Sequence, residues 1–77
     1  MKVIKRNGTY QEFDPNKIIQ AITKAFDACC PNENTEHIKK MVSDMCVWDG
    51  ITIEEIQDVV IETLQDYGYD EVAAAYS

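Results

Sequence analysis

The sequence predicts a small α+β domain in which a β-hairpin leads into four helices, and three observations carry that prediction. The stretch VIKRNGTYQEF, residues 3–13, sets an Asn-Gly pair between two short alternating runs. Two later stretches, FDPNKI and ITIEEIQDVV, each open an apolar stripe at helical spacing with a capping signal. The chain has 77 residues, 45% of them hydrophobic and 27% charged. That is enough for one ordinary globular domain, which at this size buries only roughly 60% of its unfolded surface.

Val3 to Arg6 and Thr9 to Phe13 read as the two hairpin strands, because Asn7-Gly8 supplies the positive-φ pair of a two-residue type I′ turn. In that register Val3 faces Glu12 and Lys5 faces Tyr10, and Val3, Lys5, Tyr10 and Glu12 share one face. Asp14 is then a suitable N-cap and Pro15 a suitable first helical residue. The first helix carries Ile18, Ile19, Ile22, Ala25, Phe26 and Cys29 on one stripe and stops at Pro31. A second helix is expected from Asn34 or Thr35, with Ile38, Met41, Val42 and Met45 inward. Trp48 is expected to close its end, and Asp49-Gly50 to stop it.

Thr52 and Glu55 form the capping box of a third helix. Its inward set is Ile56, Val59, Val60, Thr63, Leu64 and Tyr67, and Gly68 is its stop. Ile51 and Thr52, β-branched and just ahead of the cap, are able to add a third strand. A last helix capped by Asp70 runs through Val72 and Ala75-Tyr76. It has about seven residues and no stop signal, which is marginal for a free helix. The expectation is therefore one domain over residues 1–77, cut within its last helix from something longer.

Charge is distributed unevenly. Residues 1–24 hold five Lys/Arg against two acids, whereas residues 25–77 hold two against twelve, for a net charge of −7. Such an acidic body repels nucleic acid and anionic membrane, and no run of eighteen apolar residues is present. A cytoplasmic protein is the expectation. Cys29, Cys30 and Cys46 are odd in number and include an adjacent pair, which suits reduced thiols. Adjacent side chains on a helix point about 100° apart, so even with His37 the sequence leads to no metal site.

Catalytic patterns are missing: there is no phosphate loop of the G-x-x-x-x-G-K type, and one histidine has no serine nucleophile to serve. Glu54-Glu55 and Asp70-Glu71 open helices, where they complement the dipole. The domain is therefore not expected to be an enzyme by itself. A local anion site is better supported, since Lys5, Arg6 and Lys17 are able to converge, with Arg offering a fork and Lys a point charge. Val3 and Tyr10 offer apolar surface to a base, and Glu12 an acceptor. On residues alone a second reading stays open, in which Lys5 and Arg6 are solvated charges protecting an edge strand.

In order and spacing, VIKRNGTYQEFDPNKI, GITIEEIQDVV and GYDEVAAAY resemble the ATP-cone domain, a regulatory nucleotide-binding module. It is found at the N-terminus of many ribonucleotide reductases and within a repressor of their genes. The resemblance implies a four-helix bundle under a three-stranded β lid. It also implies ATP and dATP as competing effectors, with Mg2+, that control a parent reductase, of anaerobic or another type with the anaerobic favoured, with effector-dependent oligomerisation. By position it assigns nucleotide contacts to Val3, Lys5, Arg6, Glu12 and Lys17. Ile53 and Gln57 stand where some relatives carry threonine and histidine. The alternatives are the sensor of a transcriptional repressor and a plain protein-interaction domain.

Overall fold

The computed structural model describes residues 1–31 and 36–77. The elements run β1 (Lys2–Ile4), β2 (Tyr10–Glu12), α1 (Pro15–Cys29), α2 (Ile38–Ser43), β3 (Ile51–Thr52), α3 (Ile53–Asp66) and α4 (Asp70–Tyr76). Among the described residues four helices and a three-stranded mixed sheet of order β2-β1-β3 make up the α+β fold expected, including the short third strand. Among the described residues no helix is long and apolar enough to cross a membrane.

The hairpin register differs from the expectation by one residue. Lys2 pairs with Glu12, Val3 with Gln11 and Ile4 with Tyr10. Arg6, Asn7 and Gly8 form a three-residue loop, with Gly8 N–H donating to Lys5 C=O (2.9 Å) and Lys5 N–H to Thr9 C=O (2.8 Å). Of these three residues only Gly8 has positive φ (+83°), so Asn7 does not take the second left-handed position that a type I′ turn needs. Its side-chain oxygen instead accepts from Thr9 N–H (3.1 Å) and Thr9 Oγ1 (2.6 Å). This is a type I turn closed by a glycine bulge. The shift places Gln11 and Phe13 on the side of buried Val3, and Phe13 packs on the core. Burying that aromatic ring is what favours this register.

β1 also pairs in parallel with β3, Val3 with Ile51 and Ile4 with Thr52. Asp49-Gly50 turns the chain into β3 rather than ending a helix. Lys2 N–H donates to Asp49 Oδ1 (2.7 Å) and Gly50 N–H to Lys2 C=O (2.8 Å). α2 has already stopped at Ser43, and Trp48 is exposed at 48% instead of sealing its end. The expected start of that helix, Asn34 or Thr35, lies outside the described residues.

The caps of α1 and α3 are those expected. Asp14 accepts from Asn16 N–H (3.0 Å), and Thr52 and Glu55 exchange both capping-box bonds at 3.1 Å. At the end of α3, Tyr69 N–H reaches Leu64 C=O (2.8 Å) and Gly68 N–H reaches Gln65 C=O (2.9 Å), with Gly68 at φ +85°. These bonds are a Schellman motif, which returns the chain for α4. Tyr67, expected inward, is therefore the exposed cap residue. Tyr69 takes the inward place and Asp70 is the first residue of α4, not its cap.

Packing centres on Phe26, Ile22, Leu64 and Ile51, all fully buried, and among the described residues no polar or charged residue joins them. The Phe26 ring meets the edges of His37 and Tyr69, which stack on each other, and Tyr69 Oη lies 2.9 Å from His37 Nε2. α1 lies chiefly against α4, which packs in turn on α3. Cys30 is the C-cap of α1 at φ −139°, outside helical conformation, so the 100° separation of neighbouring side chains does not apply. The two Sγ atoms are 3.1 Å apart. The thiol of Cys29 is pushed up to about 11, first by its hydrogen bond with Cys30, then by burial and by Glu71.

Candidate functional site

The capping geometry described above brings four chain segments to one place. Asp14, Lys17, Ile18 and Ala21 lie on one face of α1 and its cap, and Ile53, Ile56 and Gln57 on one face of α3, both sets at spacings of three and four. Val3 and Gln11 of the sheet cover them, and Phe13 and Tyr76 close the sides. Together these residues line a cleft of about 240 Å3. The lining is mostly apolar with a few polar groups, the pattern of a small-molecule site. Its volume is below the roughly 300–1,000 Å3 of sites that enclose a drug-sized ligand. It therefore suits a ligand that seats one flat part and leaves the rest outside.

The polar groups in the cleft differ in how far they are committed. Asp14 is tied to the start of α1 through its carboxylate, and its carbonyl accepts from Lys17 N–H (3.2 Å). Gln57 is half-buried, with an amide able both to donate and to accept. Burial pushes the Tyr76 phenol above its ordinary value, so near neutral pH it stays a hydrogen-bond donor.

Next to the cleft is a second depression of about 310 Å3, lined by Lys5, Arg6, Asn7 and Ile53. Ile53 is common to both hollows. The type I turn directs Arg6 toward α3, where its Nε lies 3.1 Å from Glu54 Oε1, with both side chains well exposed. Strict strand alternation would have pointed Arg6 to the opposite face. As the first residue of the turn it is released from that alternation.

Of the residues singled out from the sequence, Val3, Lys17, Ile53 and Gln57 line the cleft, and Lys5 and Arg6 line the depression beside it. Glu12 is not brought to either. The shifted register turns it to the outer face, where Lys2 Nζ is 2.6 Å and the N-terminal amine 3.7 Å from its carboxylate. The Lys2 hydrogen bond first, and then the charges of Lys2 and the terminal amine, hold that carboxyl below its usual value. Gln11 occupies the place expected for Glu12. Its signal in the sequence was the glycine-bulge reading of Asn7-Gly8, under which Gln11, not Glu12, shares a face with Val3. Tyr10, expected to offer surface to a base, also turns outward and is 67% exposed.

Residues 1–77 match the protein family described as the ATP cone domain. The chain is similar to the ribonucleoside-diphosphate reductase subunit alpha of Enterobacteria phage T4, 34% identical over 82 residues that cover 96% of this chain and 10% of that protein. It is similar also to the subunits of that name from Chlamydia pneumoniae, 33% identical over 87 residues, and from Chlamydia muridarum (strain MoPn / Nigg), 31% over 90. Those matches cover 96% of this chain and 8% and 9% of the respective proteins. The chain thus spans about a tenth of the length of these curated relatives. None of the three names carries the anaerobic label that the resemblance suggested.

Proposed function

The chain belongs to the ATP-cone family, and from that premise we propose that it is the regulatory nucleotide-binding domain of a ribonucleotide reductase, responding differently to ATP and dATP. One adjacency carries the reading: Ile53 forms the wall between an apolar cleft and a cationic depression. A nucleoside triphosphate has the same division, a flat base at one end and a run of negative oxygens at the other. The base enters the cleft against Val3 and Ile53. The amide of Gln57 or Gln11 pairs with the adenine edge, as glutamine does where proteins read adenine. The phosphates pass Ile53 toward Lys5 and Arg6, with Lys17 supplying a further charge at the cleft.

The pair of Arg6 with Glu54 favours this exchange. Exposed ion pairs are worth roughly 0–1 kcal/mol, whereas a guanidinium fork on phosphate is charge-assisted and bidentate. Glu54 is also a suitable hard oxygen donor for Mg2+, which commonly takes one or two carboxylates together with substrate phosphates. Bound there, Mg2+ would neutralise phosphate charge beside Arg6.

ATP and dATP differ by one hydroxyl. A hydrogen bond to it is worth about 1 kcal/mol, or about fivefold in affinity. Gln11, Asp14, Gln57 and the Tyr76 phenol are the polar groups that meet or miss that oxygen. The difference acts on the parent chain, or on its assembly, to the extent that two arrangements of the domain bind the two effectors unequally.

Thermal melts with ATP, dATP and GTP test the reading. At about a hundred times the dissociation constant a nucleotide stabilises by roughly 2.7 kcal/mol. In a domain of this size that raises the midpoint by more than about 10 °C. Lys5→Ala is expected to remove most of the shift while leaving the circular dichroism and the unliganded midpoint unchanged. The absence of any shift at millimolar nucleotide would refute the proposal.

A further inference from the structure

At the far end of α1, about 18 Å along the helix from Lys17, Cys29, Cys30 and Glu71 bring two sulfurs and a carboxylate oxygen within 4.8 Å of one another. We propose that these three side chains form a binding site for a thiophilic divalent cation, Zn2+ in the first place. The site is separate from the nucleotide cleft and does not depend on it.

Three observations carry the assignment. The first is backbone geometry. Cys30 leaves the helix as its C-cap, and this turns two neighbouring side chains toward one point rather than splaying them. The second is distance. With Zn–S near 2.3 Å and Zn–O near 2.0–2.2 Å, a tetrahedral site has S···O edges of about 3.5 Å and an S···S edge of about 3.8 Å. Cys29 Sγ already stands 3.6 Å from Glu71 Oε2, and the 3.1 Å between the sulfurs opens to a ligand edge by less than ~1 Å of side-chain rotation. The third is access. The cysteines are half-buried and Glu71 is exposed, beside a depression lined by Cys30, Tyr69, Asp70 and Glu71. That depression leaves the fourth coordination position open to water.

Donor chemistry selects the ion. Two sulfurs and one oxygen suit Zn2+ or Co2+ and not Mg2+ or Ca2+, which take oxygen donors. Among the described residues Glu71 makes no ion pair with a lysine or arginine that would compete. Binding replaces both thiol protons by the ion. Two Cys S–H and one Zn2+ become two Zn–S bonds and two released protons, with no change of oxidation state. The ion would join the last turn of α1 to the first turn of α4.

A cobalt titration of the full, reduced 77-residue chain tests this, read by the thiolate-to-cobalt charge-transfer band and the visible d–d bands. The expected result is saturation at one Co2+ per chain and bleaching by one equivalent of Zn2+. Cys46→Ser should leave the spectrum unchanged. Cys29→Ser and Cys30→Ser should each lose charge-transfer intensity, and Glu71→Gln should weaken Co2+ binding at least about tenfold, which even outer-shell partners are worth. Circular dichroism shows that each variant is folded. Because Glu71→Gln leaves both thiols and the core in place, the test survives a cysteine variant that does not fold. No charge-transfer band at millimolar Co2+, a spectrum retained in the Cys29→Ser/Cys30→Ser double variant, or saturation at one ion per two chains would overturn the assignment.

Discussion

The cluster centred on Phe26 is apolar and buried; the hairpin is charged and exposed. The ion pairs of Met1 and Lys2 with Glu12 and of Arg6 with Glu54 all involve the hairpin or the residues leading into it. Among the described residues the helical end buries no polar residue. Only Val3 and Ile51 of the sheet enter the core. Free energy is therefore held unequally in the two regions. Dispersion and burial hold the helices together, while the hairpin is fastened by contacts individually worth about a kcal/mol or less. A part of the molecule that must exchange partners for a ligand is suited to that looseness.

The largest effect belongs to the buried cluster. Phe26→Ala should lose about 3–5 kcal/mol of stability in urea titrations with an unchanged slope, a large share of what a small domain has. A loss under about 1 kcal/mol would mean that the buried cluster is not what holds the fold. At the junction of the two regions, Thr52→Ala removes the capping oxygen of α3 and should lose about 1 kcal/mol by the same measurement.

On the hairpin the effects should fall on binding instead. Gln11→Ala is expected to weaken ATP by about 0.5–1.5 kcal/mol in calorimetry while Glu12→Ala leaves it unchanged. The opposite result would restore the two-residue turn. The smallest effect belongs to Glu12 and stability. Its carboxyl is held below its unfolded value, so its contribution is present above the unfolded pKa and disappears as pH falls through the folded one. Glu12→Gln should flatten that part of the acid limb at low salt, and the difference should vanish at 1 M salt.

Much of this was legible in the residues, and the exceptions have definite causes. Asp14-Pro15 and Thr52-x-x-Glu55 each satisfy orphan N–H groups with a short-range side chain, and such signals survive any tertiary context. Asn7-Gly8 was ambiguous because two turns use the same pair and differ only in whether Asn bends its own backbone or bonds Thr9 with its side chain. The choice was made 6 residues away, by where Phe13 is buried. That one-residue slip turned Gln11 toward the cleft and Glu12 away from it. Tyr67 and Tyr69 exchanged roles for a similar reason, since periodicity continues through a helix end that the Schellman turn cuts. Cys29-Cys30 could not be read on a helical wheel because one of the pair stands outside the helix.

The parallel pairing of β1 with β3 has a kinetic consequence. It joins Val3 to Ile51, a separation about eight times that between Ile4 and Tyr10 in the hairpin. Three doublings of loop length add about 1.8 kcal/mol of closure entropy, and they are met by a strand of two residues. The helices should therefore assemble before the sheet closes over them. We predict φ-values near zero for Ile51→Val and well above it for changes at Ile22. Mutations in the sheet should then speed unfolding and leave the refolding rate nearly untouched.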